Sequence, residues 1–240
     1  MKKVLITGWR GFIGGHLMTE LDKLDFEIIT IDNILCDIDD IPKADVIVHL
    51  AADPSVPYSI DHPYSTFKTN VLGTLNILEA CRRDGAKIVF PSSSQASPEA
   101  LNPYGLHKHH CEELIRLYSK LYHIQYCILR LYNVFGPGEH GVIGAFQKAA
   151  REGKPLELWG GYQKRDFVHI DTVVKYLIDG IENSQGIFEI GSGITLSVKE
   201  IADMISPNQI PMPMGEGQPM ETRCPTPVKT LTVEEYLNAD

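Results

Sequence analysis

A chain of 240 residues with 43% hydrophobic and 22% charged content can bury a substantial core and is neither disordered nor fibrous. Its formal charge of −9 argues against a non-specific nucleic-acid or anionic-membrane binder, since either needs a basic surface. Cys36, Cys81, Cys111, Cys127 and Cys224 are widely spaced with no Cys-x-x-Cys pair, as expected of reduced thiols in a cytoplasmic protein.

The apolar start, residues 4–6, is interrupted by Gly8 and Gly11, which is unlike a signal peptide, and no run approaches a membrane span. Those residues read instead as a strand buried on both faces. Thr7-Gly8-Trp9-Arg10-Gly11-Phe12-Ile13-Gly14 follows directly, and then Leu17, Leu21 and Leu24 at helical spacing. A strand, glycines three apart and a helix form a dinucleotide-binding pattern. The glycines permit a tight turn and a close approach of pyrophosphate, and the helix start supplies amides and the positive dipole end. A second strand, 27–31, ends in Asp32, placed to accept hydrogen bonds from the adenosine ribose and to repel a 2′-phosphate, so NAD is favoured over NADP. Arg10 is the residue that argues the other way, by meeting a phosphate.

Only twelve residues, 33–44, separate Asp32 from the next strand, 45–50, too few for a helical crossover plus another strand. His49-Leu50-Ala51-Ala52 closes that strand with small residues where open parallel sheets bind ligands. Residues 64–83 carry Phe67, Val71, Leu75 and Leu78 at helical spacing; Asn70 among them reads equally as a surface amide. A strand at 87–90 leads into Ser92, Ser93 and Ser94. A helix starting at Pro103 then puts Tyr104 and Lys108 on one face, where an ammonium beside a phenol favours the phenolate of a general base. Ser94 can share that proton network. The spacing alone also fits a solvated helical face.

His107, His109 and His110 lack the spacing of a metal-binding helix, so no metal is expected. A strand at 126–131 completes an alternation that predicts a Rossmann-like, doubly wound parallel sheet over residues 1–133. Residues 134–240 change texture into a small α/β substrate lobe, interleaved with the first part. It has helices at 146–152, 171–181 and 198–205, strands at 156–159 and 186–190, and a loop at 207–227.

Taken together, the chain resembles the extended short-chain dehydrogenase/reductases, in the NAD-dependent epimerase/dehydratase group typified by the UDP-glucose 4-epimerases. The resemblance rests on the glycine motif, Asp32-Asn33, Asp37-Ile38, His49-Leu50-Ala51-Ala52, Asn70-Val71-x-Gly73-Thr74, the three serines and Tyr104-x-x-x-Lys108. It continues through Arg130-x-x-Asn133-x-x-Gly136-Pro137, Arg165-Asp166-Phe167-Val168 and Ile190-Gly191-Ser192-Gly193. It implies that Gly8, Arg10, Gly11, Phe12, Ile13, Gly14, Asp32, Asn33, Asp37, Ile38, Leu50, Ala51, Ala52, Asn70 and Ser92 hold NAD. It further implies that Ser94, Tyr104 and Lys108 are catalytic, the last two also touching the cofactor, and that Ser94, Asn133, Trp159, Arg165 and Glu216 face a nucleotide sugar, foremost a UDP-sugar. A homodimer through a four-helix bundle, built from the helices at 64–83 and 103–122, is implied too.

Family members that dehydrate their sugar carry an acid at the positions of Gln95 and Ala96, so epimerisation by transient oxidation and re-reduction is the activity implied here. Two alternatives stay open: an NADP-dependent epimerase-reductase or ketoreductase, and an NAD-binding regulatory protein without turnover. The segment 95–103 is short for the family. Met212-Pro213-Met214 stands where the family commonly has an arginine, with Arg223 as a candidate substitute.

Overall fold

The computed structural model describes residues 1–239. In chain order it runs β1 (Lys2–Thr7), α1 (Phe12–Leu21), β2 (Phe26–Ile31), a 3-10 turn (Ile38–Asp40), β3 (Val46–His49), α2 (Val56–Asp61), α3 (Pro63–Phe67), a π-helical turn (Lys68–Leu72), α4 (Gly73–Asp84), β4 (Lys87–Ser93), α5 (Pro103–Tyr122) and β5 (Tyr126–Leu131). Then come β6 (Asn133–Phe135), α6 (Val142–Arg151), β7 (Leu156–Trp159), β8 (Lys164–His169), α7 (Ile170–Glu182), β9 (Gly186–Ile190), β10 (Thr195–Ser197), α8 (Val198–Ile205), β11 (Gln209–Met212), β12 (Glu221–Thr222) and α9 (Val233–Leu237). The chain divides into two compact units, Met1–Arg130 with Val174–Phe188, and Leu131–Val173 with Glu189–Asp240. The division passes through β5, α7 and β9.

The first unit is built on a sheet of order β2-β1-β3-β4-β5-β9, parallel at each of β2-β1, β1-β3 and β3-β4. Val4, Leu5, Ile6, Val46, Ile47 and Val48 are all buried, as strands covered on both faces must be. Leu5, Ile47, Ile88, Phe90 and Ile128 pack with Ile77, Leu78 and Ile115 of α4 and α5, each such side chain worth about 2 kcal/mol of burial. On α7 Gly180 lets the helix lie against β4 and β5, since a Cβ there would come within 3.1 Å of Val89 and 3.2 Å of the Cys127 sulfur. The strand order reverses between β1 and β3, the switch point at which such sheets bind ligands beyond their carboxyl ends. The short link 33–44 holds no further strand, only the 3-10 turn, so β2 is the edge strand.

The second unit centres on β8, which pairs antiparallel with β10 and parallel with β6 and β12, while β7 and β11 form a separate parallel pair. Phe135, Phe146, Leu156, Phe167, Ile201 and Val233 make its core. Two expectations are corrected here. The supposed loop 207–227 contains β11 and β12, whose partners lie about 50 residues earlier in the chain; Pro211 is tolerated because β11 pairs on one side only. Helix α6 starts at Val142, earlier than its apolar spacing suggests, because Glu139 accepts the amides of Gly141 and Gly144 at its start. No helix among the described residues is long and apolar enough to cross a membrane.

Candidate active site

The loop from Thr7 to Gly14 turns β1 into α1, and its glycines have different reasons to be there. Gly8 has φ +65°, and a Cβ on it would stand 2.5 Å from the Ala51 amide nitrogen. A Cβ on Gly14 would stand 2.5 Å from the Gly8 carbonyl oxygen. The protein's own packing demands both. At Gly11 a Cβ would meet only the Gly8 oxygen, at 3.3 Å, and this residue caps α1 with no side chain. The first amides of α1, at Phe12, Ile13 and Gly14, have no intrahelical acceptor and stand at the positive end of the helix. The loop therefore fits a dinucleotide pyrophosphate.

At the end of β2, Asp32 is exposed and clasped from the loop: Trp9 Nε1 donates to Oδ1 at 2.9 Å and Arg10 Nη1 to Oδ2 at 2.8 Å. Asn33 turns inward on its own backbone, its Oδ1 accepting the Leu35 amide at 3.0 Å. Asp37 and Ile38 open the 3-10 turn, which Arg83 ties to α4 by donating to the Ile38 carbonyl at 2.7 Å.

Beneath the β3 end runs a buried polar chain. Thr74 donates to the Asn70 carbonyl at 2.6 Å, so its oxygen accepts from His49 Nε2 at 3.1 Å; His49 Nδ1 then accepts from Thr7 Oγ1 at 2.8 Å, and Thr7 accepts the Ala51 amide at 3.0 Å. Burial, helped by the charge of Lys108, pushes the His49 pKa down to about 3, so the ring stays neutral. Asn70 is buried in the π turn, not a surface amide. It exchanges two hydrogen bonds with the Asp53 backbone, at 2.7 and 3.0 Å, and fixes the segment after Leu50, Ala51 and Ala52.

Three successive residues of β4 hold three positions of α5 spaced four apart. The Pro91 carbonyl accepts Lys108 Nζ at 2.8 Å, Ser92 donates to Glu112 at 2.5 Å, and Ser93 shares a hydrogen bond with Tyr104. Glu112 is fully buried and is also clasped by Arg130 through Nε at 2.9 Å and Nη2 at 2.7 Å. Lys108 Nζ lies 4.4 Å from the Phe90 ring centroid, and burial lowers its pKa to about 8 against the pull of Cys111 and Glu112.

Desolvation pushes the Tyr104 phenol up to about 12, although its hydrogen bond with Ser93 works the other way. The expectation of a phenol drawn toward the phenolate is thus corrected for the chain by itself: the cost of burying a charged oxygen holds Tyr104 toward its neutral form. The serine bonded to Tyr104 is Ser93, and its neighbour Ser94 is half-buried. Gln95 is committed to the helix cap: its Oε1 accepts from Asn102 Nδ2 at 2.8 Å, and Asn102 Oδ1 accepts the Gly105 amide at 2.8 Å.

In the second unit, Arg165 is buried on β8 and donates to the Lys164 carbonyl at 2.9 Å and to Gln218 at 3.3 Å; burial lowers its pKa. Trp159, at the end of β7, is half-exposed, with Nε1 on Glu157 at 3.2 Å. Asn133 opens β6, half-buried, and Glu216 is exposed after β11. Arg223 donates to the Gly193 carbonyl at 3.0 Å. Asp166 is fully buried and receives the amides of Ser192, Gly193 and Cys224 at 2.7, 2.7 and 2.9 Å, and the Ser192 hydroxyl at 2.8 Å. Of the histidine trio, His107 is buried edge-on to Phe67, and among the described residues no group of three His, Cys, Asp or Glu side chains is placed to hold a metal.

Sequence reasoning passes over Ser93, the His49 chain and the Glu112–Arg130 pair. Two of these have a signal: His49 is a polar residue in an apolar strand, and Glu112 continues the Tyr104–Lys108 face by one more step of four.

The sequence model of the NAD dependent epimerase/dehydratase family matches residues 4–191. A Methanocaldococcus jannaschii protein provisionally named UDP-glucose 4-epimerase is 35% identical over 246 residues, covering 84% of this chain and 81% of its own. The structure of the Thermus thermophilus UDP-glucose 4-epimerase in complex with NAD is 25% identical, with a TM-score of 0.88 over 98% of this chain and 96% of its own. Bacillus cereus UDP-glucuronic acid 4-epimerase, solved with UDP-glucuronic acid and NAD, is 26% identical, with a TM-score of 0.89 over 99% and 97%.

Proposed function

The chain belongs to the NAD-dependent epimerase/dehydratase family, and on that premise we propose that it is an NAD-dependent epimerase of a nucleotide sugar, foremost a UDP-sugar. The observation that carries this reading is the β4–α5 corner: Lys108, one turn after Tyr104 on α5, is fixed on the Pro91 carbonyl at the carboxyl end of the parallel sheet that also carries the glycine loop. When bound, NAD supplies the acceptor and donor of hydride, and a positive ring whose field favours the Tyr104 phenolate.

Tyr104 Oη takes the proton of a sugar hydroxyl as its carbon is oxidised, and returns it when the carbon is reduced from the opposite face. The C–H and O–H bonds broken in the first half are remade in the second, so no net redox change results. Lys108, held on the Pro91 carbonyl, places positive charge beneath that proton transfer. Ser94 and Ser93 steady the reacting oxygen and the phenol respectively. In the second unit Arg165 meets the substrate diphosphate, with Asn133, Trp159 and Glu216 around the rest of the nucleotide. Gln95, an amide already bonded to Asn102, offers no acid for eliminating water. The five cysteines are all free thiols, which supports a cytoplasmic setting.

A panel of nucleotide sugars in deuterated water tests the reading by NMR and mass spectrometry. An isomer of unchanged mass, without deuterium at the inverted carbon, is expected. Deuterium there would mean inversion through an enol, loss of water would mean dehydration, and binding without product would favour the regulatory alternative. A homodimer through the helices at 64–83 and 103–122 is part of the proposal. Phe67, Leu72, Leu117 and Leu121 are exposed apolar residues of these two segments. Sedimentation velocity decides it: a monomer at micromolar concentration would remove the dimer.

A further inference from the structure

Glu112 is a buried ionisable group to which the proposed reaction assigns no step. It sits one turn beyond Lys108 on α5, as Lys108 sits one turn beyond Tyr104, so the three share a face. Its side chain is fully buried, whereas that of its partner Arg130 is 28% exposed. The carboxylate receives donors from two strands: Ser92 Oγ of β4 at 2.5 Å, and Arg130 Nε and Nη2 of β5 at 2.9 and 2.7 Å. Its hold on Ser92 matters because the residues on either side meet the other two members of that face. The Pro91 carbonyl accepts Lys108 Nζ at 2.8 Å, and Ser93 lowers the Tyr104 pKa against burial.

Lys108 is buried too, and a cation removed from water keeps its proton only with an anion near it. The other ionisable groups around it carry no charge. Desolvation keeps Cys111 of α5 a thiol, His49 of β3 a neutral imidazole and Tyr104 a phenol. Glu112 pulls the other way and raises the Lys108 pKa, which burial brings down to about 8. Arg130 opposes Glu112 only weakly, since water screens a partly exposed guanidinium and does not reach the carboxylate. We propose that Glu112 is a positioning residue of the reaction, acting through its neighbours: it fixes residues 91–93 against α5 and supplies the counter-charge that keeps Lys108 an ammonium. This rests on the reading of Tyr104 and Lys108 as the reacting pair. A buried ion pair that serves stability alone can be replaced by uncharged side chains at little cost, whereas one that sets the charge of Lys108 cannot be replaced without changing the pH at which the enzyme works.

The test compares the pH profiles of kcat for wild type, Glu112→Gln and Glu112→Asp. Glu112→Gln keeps an acceptor for Ser92 and removes the charge. Its descending, alkaline limb, where Lys108 gives up its proton, should move down by about one pH unit, with KM within about threefold of wild type. Glu112→Asp is shorter but charged, and should leave the limb where it is in wild type even if kcat falls. Should the single variant not fold, Glu112→Gln with Arg130→Met removes both charges and should still move the limb down. Lys108 is followed independently of turnover by NMR of the full chain labelled with ε-13C lysine, its resonance assigned by its loss in Lys108→Met. A limb that stays at its wild-type pH in a folded variant without the charge overturns the proposal and leaves Glu112 a structural ion pair. An equal movement in Glu112→Asp overturns it too, because shape and not charge would then be responsible. If wild type turns over no nucleotide sugar while the Lys108 titration still moves down in Glu112→Gln, the reading of the function fails and the counter-charge is upheld.

Discussion

The β4–α5 corner of the first unit and the β7–β8 region of the second hold their functional side chains in contrasting ways. At the corner, β4 and its surroundings hold the polar side chains of α5 in place: Lys108 on Pro91 and Glu112 on Ser92 and Arg130, while Ser93 lowers the Tyr104 pKa against burial. In the second unit the fixed polar group is Asp166, which binds backbone, while Trp159 and Glu216 remain exposed and Arg165 reaches only a 3.3 Å contact with Gln218 beyond its own strand. A proton transfer needs its groups held to a fraction of an ångström, whereas residues that meet a ligand can be ordered by it. The two regions therefore differ in what a substitution should cost.

Tyr104→Phe breaks the comparison at its strongest point. Turnover should fall by about a thousandfold or more, the scale of positioned acid–base catalysis, while NAD binding and thermal stability stay near wild type. Retained activity would remove Tyr104 from the chemistry. The next largest effect is in acid, and concerns the buried chain beneath the same unit. His49 is neutral when folded, with its pKa lowered from 6.5 to about 3. The unfolded chain binds its proton first, so the stability owed to this ring is complete above about pH 6.5 and is lost as pH falls toward 3, up to about 5 kcal/mol in all. His49→Gln should show a shallower loss of stability between pH 6.5 and 4 than wild type in urea titrations. Parallel curves would mean that the ring is not the group that titrates.

Asp166→Ala should act on the second unit. It orphans the buried Cys224 amide and the half-buried amides of Ser192 and Gly193 and should cost about 3 kcal/mol in denaturant unfolding, with NAD affinity unchanged because the glycine loop and Asp32 belong to the first unit. The same contrast governs what is legible in the sequence. The first unit announces itself locally: glycines three apart, a carboxylate at a strand end, and Tyr104 and Lys108 four apart after a helix-starting proline are all short-range patterns. The second unit is held by pairings across the chain, such as β6 with β8, β12 with β8, and Asp166 with residues 192, 193 and 224. No local period encodes those, which is why β11 and β12 look like loop in the sequence. Even in the first unit the pattern yields the right helix face and the wrong direction for Tyr104. Spacing reports that an ammonium is near, but not how strongly burial disfavours the charged phenol.

The smallest effect separates the adjacent serines. Ser93 bonds Tyr104 and accepts the Gln95 amide at 3.1 Å, so its hydroxyl links the phenol to the turn that carries the α5 cap. Ser94, the residue assigned from the family pattern, is half-buried. If Ser94 contacts the reacting hydroxyl and Ser93 steadies the phenol, the two alanine substitutions differ in kind. Ser94→Ala should lower kcat by about tenfold without moving its pH profile, by removing one hydrogen bond made to the reacting oxygen. Ser93→Ala should lower kcat less, but move the ascending, acid-side limb of the profile to higher pH, because the hydrogen bond that pulls the Tyr104 pKa down is gone. A pH shift in Ser94→Ala and none in Ser93→Ala would reverse the two roles: the serine that touches the phenol in the unliganded chain would then not be the one that touches it during turnover.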